Sequence, residues 1–471
     1  MSAGPPIEEL HIADAPQMKT DVPGPRSTEL IDRQQELDSA AVAYPKRVPI
    51  ALDEARGATV RDVDGNVFLD FFAGIGVLNV GHSNPYVVEA VNDQTEKLVH
   101  TIDFPTEARL DFIEAMDGIA PDGLSGESKM VFGGPSGSDA IEGSIKLAKH
   151  YTGRHGMLAF EGSYHGGTAG ALSLTGGRKY KAGYEPLLPD VVHAPYPYRI
   201  EERGSDADAT AVCPAADCCG DLSCARALDR VQSVLEDPYG GKQTPAAIWV
   251  EPIQGEGGVV VPPKGFLRGL RDLADDNDVM LIFDEIQSGF GRTGEWFASE
   301  WDGVTPDAMT LAKGIGGAGV PLGAMLYHEK FDTWGPGGHI GTFRGNVPAM
   351  RGGIRAIEYI REHDLLAHAR DLGEYIRDRL REAADANPEL VDVRGRGLFI
   401  GAEFRDESGT PRKSAVKAVQ QYCYERGVLV WSAGRHGNVL RLLPPLVMTH
   451  AQAETGLDVV VEAIEAHAPD A

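Results

Sequence analysis

The chain has few cysteines, no long apolar run and a shortage of basic charge, and each shortage closes off a class of function. Lys and Arg number 44 against 70 Asp and Glu, a net charge of −26, so no field attracts a phosphate backbone or an anionic membrane. Nucleic acid is not expected as a partner. No segment is apolar over the length that a bilayer span requires. Met1 to Leu10 carries acids and prolines, where a secretory signal has a basic stretch and an apolar run. A soluble, cytoplasmic protein without membrane association is expected, and the acid excess suits a salt-rich, halophilic cytoplasm in which dense carboxylates hold water and ions.

Of five cysteines, Cys213, Cys218, Cys219 and Cys224 share one short segment, and Cys423 stands apart in a later helical stretch. Adjacent Cys218 and Cys219 with wide flanking gaps match no common zinc or iron–sulfur spacing. No metal site is assigned, and a metal clip, a disulfide and an inert insertion all stay open for the cluster. The surrounding Asp, Ala and Gly of Glu201 to Asp221 read as a loop.

At 471 residues the length suits two linked domains, one of them a large α/β unit. Residues 1–25 lack apolar periodicity and are expected to be mobile. Val60 to Phe72, with Asp64-Gly65 between apolar runs, reads as a hairpin. Met157 to Phe160, Ala246 to Val250, Val279 to Phe283 and Ala308 to Ala312 are short and nearly uninterrupted apolar runs, as in strands covered on both faces. Between them Phe266, Leu267, Leu270 and Leu273 recur at helical spacing, so a mostly parallel sheet flanked by helices is expected. After Asn346 come longer helical stretches, strand-like Val393 to Phe404 and Val428 to Leu443, and a closing helix from Ala451 to His467. The division expected is residues 26–79 packing with a smaller domain, 80–345 as the large domain with an insertion at 201–224, and 346–471 as the small domain.

Lys313 ends the last of those apolar runs and opens into Gly314-Ile315-Gly316-Gly317, while the run before it ends in Asp284. Two strands thus deliver an amine and an acid to one sheet edge, the pairing that pyridoxal phosphate chemistry requires. Alone, Asp284 reads as an ordinary strand-end carboxylate or a helix cap and Lys313 as a solvated lysine; the apolar approach and glycine exit of Lys313 favour its burial. Phe132-Gly133-Gly134-Pro135-Ser136-Gly137-Ser138-Asp139-Ala140 precedes a helix. It reads as a phosphate cradle or as an ordinary cap. Glu251 and Glu256 lie on a glycine loop at the same edge, facing water or holding an arginine or a substrate amine. Tyr164, in Tyr164-His165-Gly166-Gly167, packs in the core or stacks on a cofactor.

Together these residues resemble the class III aminotransferases, pyridoxal phosphate enzymes of fold type I, from about Arg33 to the last helix. The segments Asp284-Glu285-Ile286-Gln287 and Thr310-Leu311-Ala312-Lys313-Gly314 carry the likeness in order, spacing and flanking glycines. The resemblance implies a large domain with a mostly parallel, seven-stranded-type sheet plus a smaller C-terminal α/β domain. It implies that Lys313 forms the Schiff base and moves the proton, Asp284 pairs with the pyridine nitrogen, Gln287 approaches the ring hydroxyl and Tyr164 stacks on the ring. Gly137 and Ser138 would meet the phosphate. Thr342, in Gly341-Thr342-Phe343-Arg344-Gly345-Asn346, would reach the phosphate of a neighbouring subunit, which implies a homodimer with shared sites. Arg441 would pair with Glu256 for terminal amines and release to bind an α-carboxylate.

The phosphate-loop wording Gly134-Pro135-Ser136-Gly137-Ser138-Asp139-Ala140 departs from the family's commonest Asn-Ser-Gly-Thr-Glu-Ala and is similar to that of the diaminobutyrate aminotransferases. That likeness implies small-molecule amino acid and 2-oxo acid substrates, with a terminal amine passing between diaminobutyrate and 2-oxoglutarate. Asp64 to His82 is also similar to broad-specificity archaeal aminotransferases and amino-acid racemases. The alternatives are therefore 4-aminobutyrate or ornithine as donor, or racemisation.

Overall fold

Every buried strand around the site alternates its side chains between two apolar layers, and that alternation lets helices cover both faces of one sheet. The computed structural model describes residues 4–42, 47–198 and 222–469. Seven strands form the central sheet in the order Ser128–Gly134, Gly323–His328, Ala308–Leu311, Met280–Asp284, Ala247–Val250, Met157–Phe160, Val191–Ala194. All run parallel except Gly323–His328, which is antiparallel to both neighbours. Leu158, Phe160, Ile248, Val250, Leu281 and Phe283 enter one apolar layer. Met157, Ala159, Ala247, Trp249, Met280 and Ile282 enter the other. The fold is the expected α/β architecture.

Helix Gly137–Thr152 buries Ala140, Ile141, Ser144, Ile145, Leu147 and Ala148. Full burial of a side chain such as Ile141 or Leu147 is worth about 1.5–3 kcal/mol, which holds the helix against the sheet. Trp249, fully buried, donates from Nε1 to Ser144 Oγ at 2.9 Å, so its one polar atom is satisfied. Ser136 and Asp139 cap the helix reciprocally; Gly153 ends it with φ +68°, a conformation that glycine adopts without strain.

Two smaller sheets complete the fold. Leu390–Arg396, Phe399–Phe404, Val439–Leu442 and Trp431–Ala433 form an antiparallel sheet towards the C-terminus. The hairpin Thr59–Asp62 and Val67–Asp70, with Leu52–Arg56 on one side, pairs in parallel with Val428–Leu429 on the other. Helix His450–Ala466 closes the chain.

One expectation needs correcting. The stretch before Pro25, read as mobile, is packed from residue 4 onward. Leu10 and Ile12 are buried; Ala58 N donates to His11 Nδ1 at 2.9 Å, and Ile12 N to Thr59 Oγ1 at 2.8 Å. Gln17 and Val67 exchange two backbone hydrogen bonds at 2.8 Å, and Tyr359 Oη donates to Pro5 O at 2.7 Å. Two isolated apolar anchors and an edge pairing hold the segment, and neither leaves a periodic signature in sequence. Cys213, Cys218 and Cys219, with the loop read around them, lie outside the described residues. Cys224 is buried on helix Leu222–Glu236 and Cys423 on helix Lys413–Glu425.

Leu10→Ala should destabilise the protein by about 2–4 kcal/mol, whereas Leu37→Ala, at a side chain 75% exposed, should change it by less than about 0.5 kcal/mol. Chemical denaturation of the two variants checks this, and equal effects would contradict the packing described.

Candidate active site

Three adjacent parallel strands end in or just before ionisable groups. Glu251 follows Ala247–Val250, Asp284 closes Met280–Asp284, and Lys313 follows Ala308–Leu311. Asp284 is paired in register with Thr310, which places Lys313 three residues beyond it on the neighbouring strand. Carboxyl ends of parallel strands are where open α/β sheets form their clefts. Here the cleft has a volume of about 560 Å³, and its lining includes Gly137, Ser138, Tyr164, Glu251, Glu256, Asp284, Gln287, Lys313 and Arg441.

Asp284 is buried, and its Oδ2 lies 2.7 Å from His165 Nδ1. Its Oδ1 accepts from Ile286 N at 3.1 Å and Thr310 Oγ1 at 3.3 Å. These contacts fix the carboxylate in one orientation. Lys313 has φ +50°, a strained conformation for a side chain with a Cβ. Burial pulls its ammonium down to about 8, against the opposing pull of Asp284 and Glu256, so near neutral pH a usable fraction is the nucleophilic free amine.

Glu251 is buried and pushed up to about 7 by that burial; its two oxygens accept from Tyr164 N and Gly255 N, both at 2.8 Å. It therefore ties the Tyr164 turn to the glycine loop. Glu256 is likewise desolvated, yet Arg441 Nη1 at 2.7 Å and the nearby Lys313 hold its carboxyl below the usual range. Arg441 itself is 1% exposed. Gln287 accepts weakly from Arg441 at 3.5 Å and donates to Ile75 O at 3.2 Å. Tyr164 sits edge-on to Tyr180, with ring centroids 4.9 Å apart.

Pyridoxal phosphate fits this donor set. The N-terminus of helix Gly137–Thr152 opens into the cavity, and among the described residues nothing takes the N–H groups of Gly137 and Ser138, so they are free for an anion. Gly166, at φ +137°, passes so close that a Cβ there would lie 2.1 Å from Ser138 Oγ. A carboxylate for a heterocyclic nitrogen and an amine for an aldehyde share the same wall.

The comparisons agree with this chemistry. Residues 41–464 match the family model described as aminotransferase class-III. The chain belongs to the class III aminotransferases. It is 39% identical over 437 residues, 90% of each chain, to the diaminobutyrate--2-oxoglutarate aminotransferase of Rhizobium meliloti (strain 1021). It is 34% identical to the alanine/serine racemase of Pyrococcus horikoshii, covering 97% of this chain and 94% of the other. The crystal structure of the ornithine aminotransferase from Toxoplasma gondii ME49 superposes with a TM-score of 0.79 at 26% identity, covering 96% of both chains. As a class III aminotransferase the protein is a pyridoxal phosphate enzyme.

The structure brings together every residue singled out in sequence except Thr342, which is exposed on a turn, Thr342–Gly345, outside its own chain's cavity. Sequence reading gave His165 no role. Its signal was the turn after a strand that lies two places from Asp284 in the sheet, which carries a ring nitrogen to the carboxylate.

In cofactor-free enzyme, modification of Lys313 by an amine-directed reagent should rise with a midpoint near pH 8, against about 10.4 for an exposed lysine. A midpoint near that of exposed lysines, read by peptide mapping across pH, would contradict the environment described.

Proposed function

We propose that this enzyme transfers the terminal amino group of L-2,4-diaminobutyrate to 2-oxoglutarate, giving glutamate. The observation that carries this reading is the ion pair of Arg441 with Glu256 at 2.7 Å in the wall of the Lys313 cavity. An amine whose carbon bears no carboxylate meets a neutralised wall, whereas an α-keto acid brings a carboxylate that competes with Glu256 for the guanidinium. The R. meliloti relative's activity supports the same donor and acceptor.

Pyridoxal phosphate supplies an aldehyde that condenses with amines and a heterocycle that accepts an electron pair from the neighbouring carbon. Gly137 and Ser138 hold its phosphate, Asp284 its pyridine nitrogen, Tyr164 its ring face, Gln287 its hydroxyl and Lys313 its aldehyde. Held by His165 at 2.7 Å, Asp284 keeps one orientation in which it would meet the pyridine nitrogen. With the cofactor bound, Lys313 would move the proton from the amine-bearing carbon to the cofactor carbon that carried the aldehyde, and in the opposite direction in the second half-reaction. A neutral amine does this best, and burial enlarges the neutral fraction. Arg441 stays on Glu256 in the first half-reaction and turns to the α-carboxylate in the second, so turnover is ping-pong.

The enzyme works as a homodimer in which Thr342 reaches the partner's phosphate. Supporting this, exposed Phe104, Ile340 and Phe343 lie around that turn, where His100 Nε2 meets Thr342 O at 2.5 Å. The net charge of −26 supports a halophilic cytoplasm as its setting.

Arg441→Lys should raise KM for 2-oxoglutarate about tenfold or more and leave that for diaminobutyrate within about twofold, because lysine forms no bidentate contact. Steady-state kinetics with each substrate varied decides this, and equal effects would contradict the switch. A donor panel of diaminobutyrate, 4-aminobutyrate, ornithine and alanine, run with and without 2-oxoglutarate, tests the donor. Turnover of a single amino acid without the keto acid would indicate racemisation instead.

A further inference from the structure

Glu256 and Arg441 belong to different parts of the fold, so their 2.7 Å contact depends on whatever seats the loop of one against the sheet of the other. Glu256 rides on a loop whose neck is closed by Gln254 and Val260, which exchange backbone hydrogen bonds at 3.1 and 2.9 Å. The smaller antiparallel sheet supplies the seat. Arg394 on Leu390–Arg396 lies opposite Gly401 on Phe399–Phe404, and Gly401 lies opposite Arg441 on Val439–Leu442. Directly opposed residues share a sheet face, so two arginines stand on one face, on either side of a residue without a side chain. The loop fills that gap: a Cβ on Gly401 would lie 3.0 Å from Val259 Cβ and 3.2 Å from Gly258 O.

Arg441 grips the loop by the Glu256 carboxylate, and Arg394, which lies outside the cavity lining, grips it by its backbone. Arg394 Nη2 donates to Gly258 O at 2.6 Å, and Nε donates to both Gly258 O at 3.1 Å and Val259 O at 3.0 Å. Its Nη1 donates to Asp392 Oδ2 and Glu403 Oε2, both at 2.7 Å. Glu403 is fully buried and also accepts from Arg405 Nε at 2.7 Å and Asn438 Nδ2 at 3.2 Å, so the guanidinium is fixed in one orientation. What it holds is strained. Val259 has φ +53°, an outlier for a β-branched residue that persists only where the surroundings over-determine it. Released, the loop would relax and carry Glu256 away from Arg441. Resting on the proposed reaction, we propose that Arg394 is a positioning residue that seats the Glu256 loop on the smaller sheet and so keeps Arg441 covered while a terminal amine reacts. With Arg441 uncovered, diaminobutyrate binds by its own carboxylate with the α-amine foremost, and glutamate no longer has to displace Glu256. Arg394 thus sets the balance between terminal amines and α-amines without touching either.

The test follows each half-reaction of the holoenzyme separately, by the change in cofactor absorbance on mixing with diaminobutyrate or with glutamate, and takes the ratio of the two second-order rates. Arg394→Lys keeps a charge beside Glu403 but loses the fork on the loop. It should lower the diaminobutyrate-to-glutamate ratio about 5- to 10-fold, and Arg394→Met should lower it further. In cofactor-free Arg394→Lys, hydrogen exchange should quicken in the peptide that carries Gly255 to Val260. Leu10→Ala, destabilised elsewhere, should keep the wild-type ratio. An unchanged ratio in Arg394→Lys, an equal loss on both amines, or the same shift in Leu10→Ala would overturn the assignment. Wild type that responds to glutamate but not to diaminobutyrate would remove the underlying reaction and this assignment with it, a result distinct from an enzyme active on both and indifferent to Arg394.

Discussion

A buried carboxylate and a buried amine held at the ends of adjacent parallel strands are the constraint on which the rest of this structure depends. Either charge alone inside an apolar sheet edge is costly. Together, with His165 behind Asp284 and Glu256 opposite Lys313, they form a set in which desolvation lowers the lysine without removing its counter-charges. The register of Asp284 with Thr310 fixes their relative placement, and the two apolar layers fix the register, because a one-residue slip would turn every strand inside out.

The remaining parts follow from that edge. The Ser136–Asp139 capping box sets where helix Gly137–Thr152 begins, and so where its free N–H groups stand. Glu251 tethers the Tyr164 turn to the loop that carries Glu256. Arg441 and Trp431 arrive together from the smaller antiparallel sheet. The cavity wall thus draws on two sheets.

The central strands were legible in the sequence because continuous apolar runs bounded by glycine have few other readings, and Lys313 and Asp284 were legible because each ends such a run. The packing of residues 4–24 was not, since it rests on Leu10 and Ile12 alone and on a backbone pairing of Gln17 with Val67. His165 escaped notice because its role depends on the order of strands in the sheet, which local pattern does not carry. Arg47, in the cavity wall, ends no apolar run that would single it out, and its position on Trp431 joins residues nearly four hundred apart in the chain, a pairing no window of sequence can show.

The most direct measurement is borohydride reduction of the holoenzyme followed by proteolysis and peptide mass mapping. The account predicts a single pyridoxyl phosphate adduct on Lys313. An adduct on another lysine such as Lys179, or none at all, would contradict it.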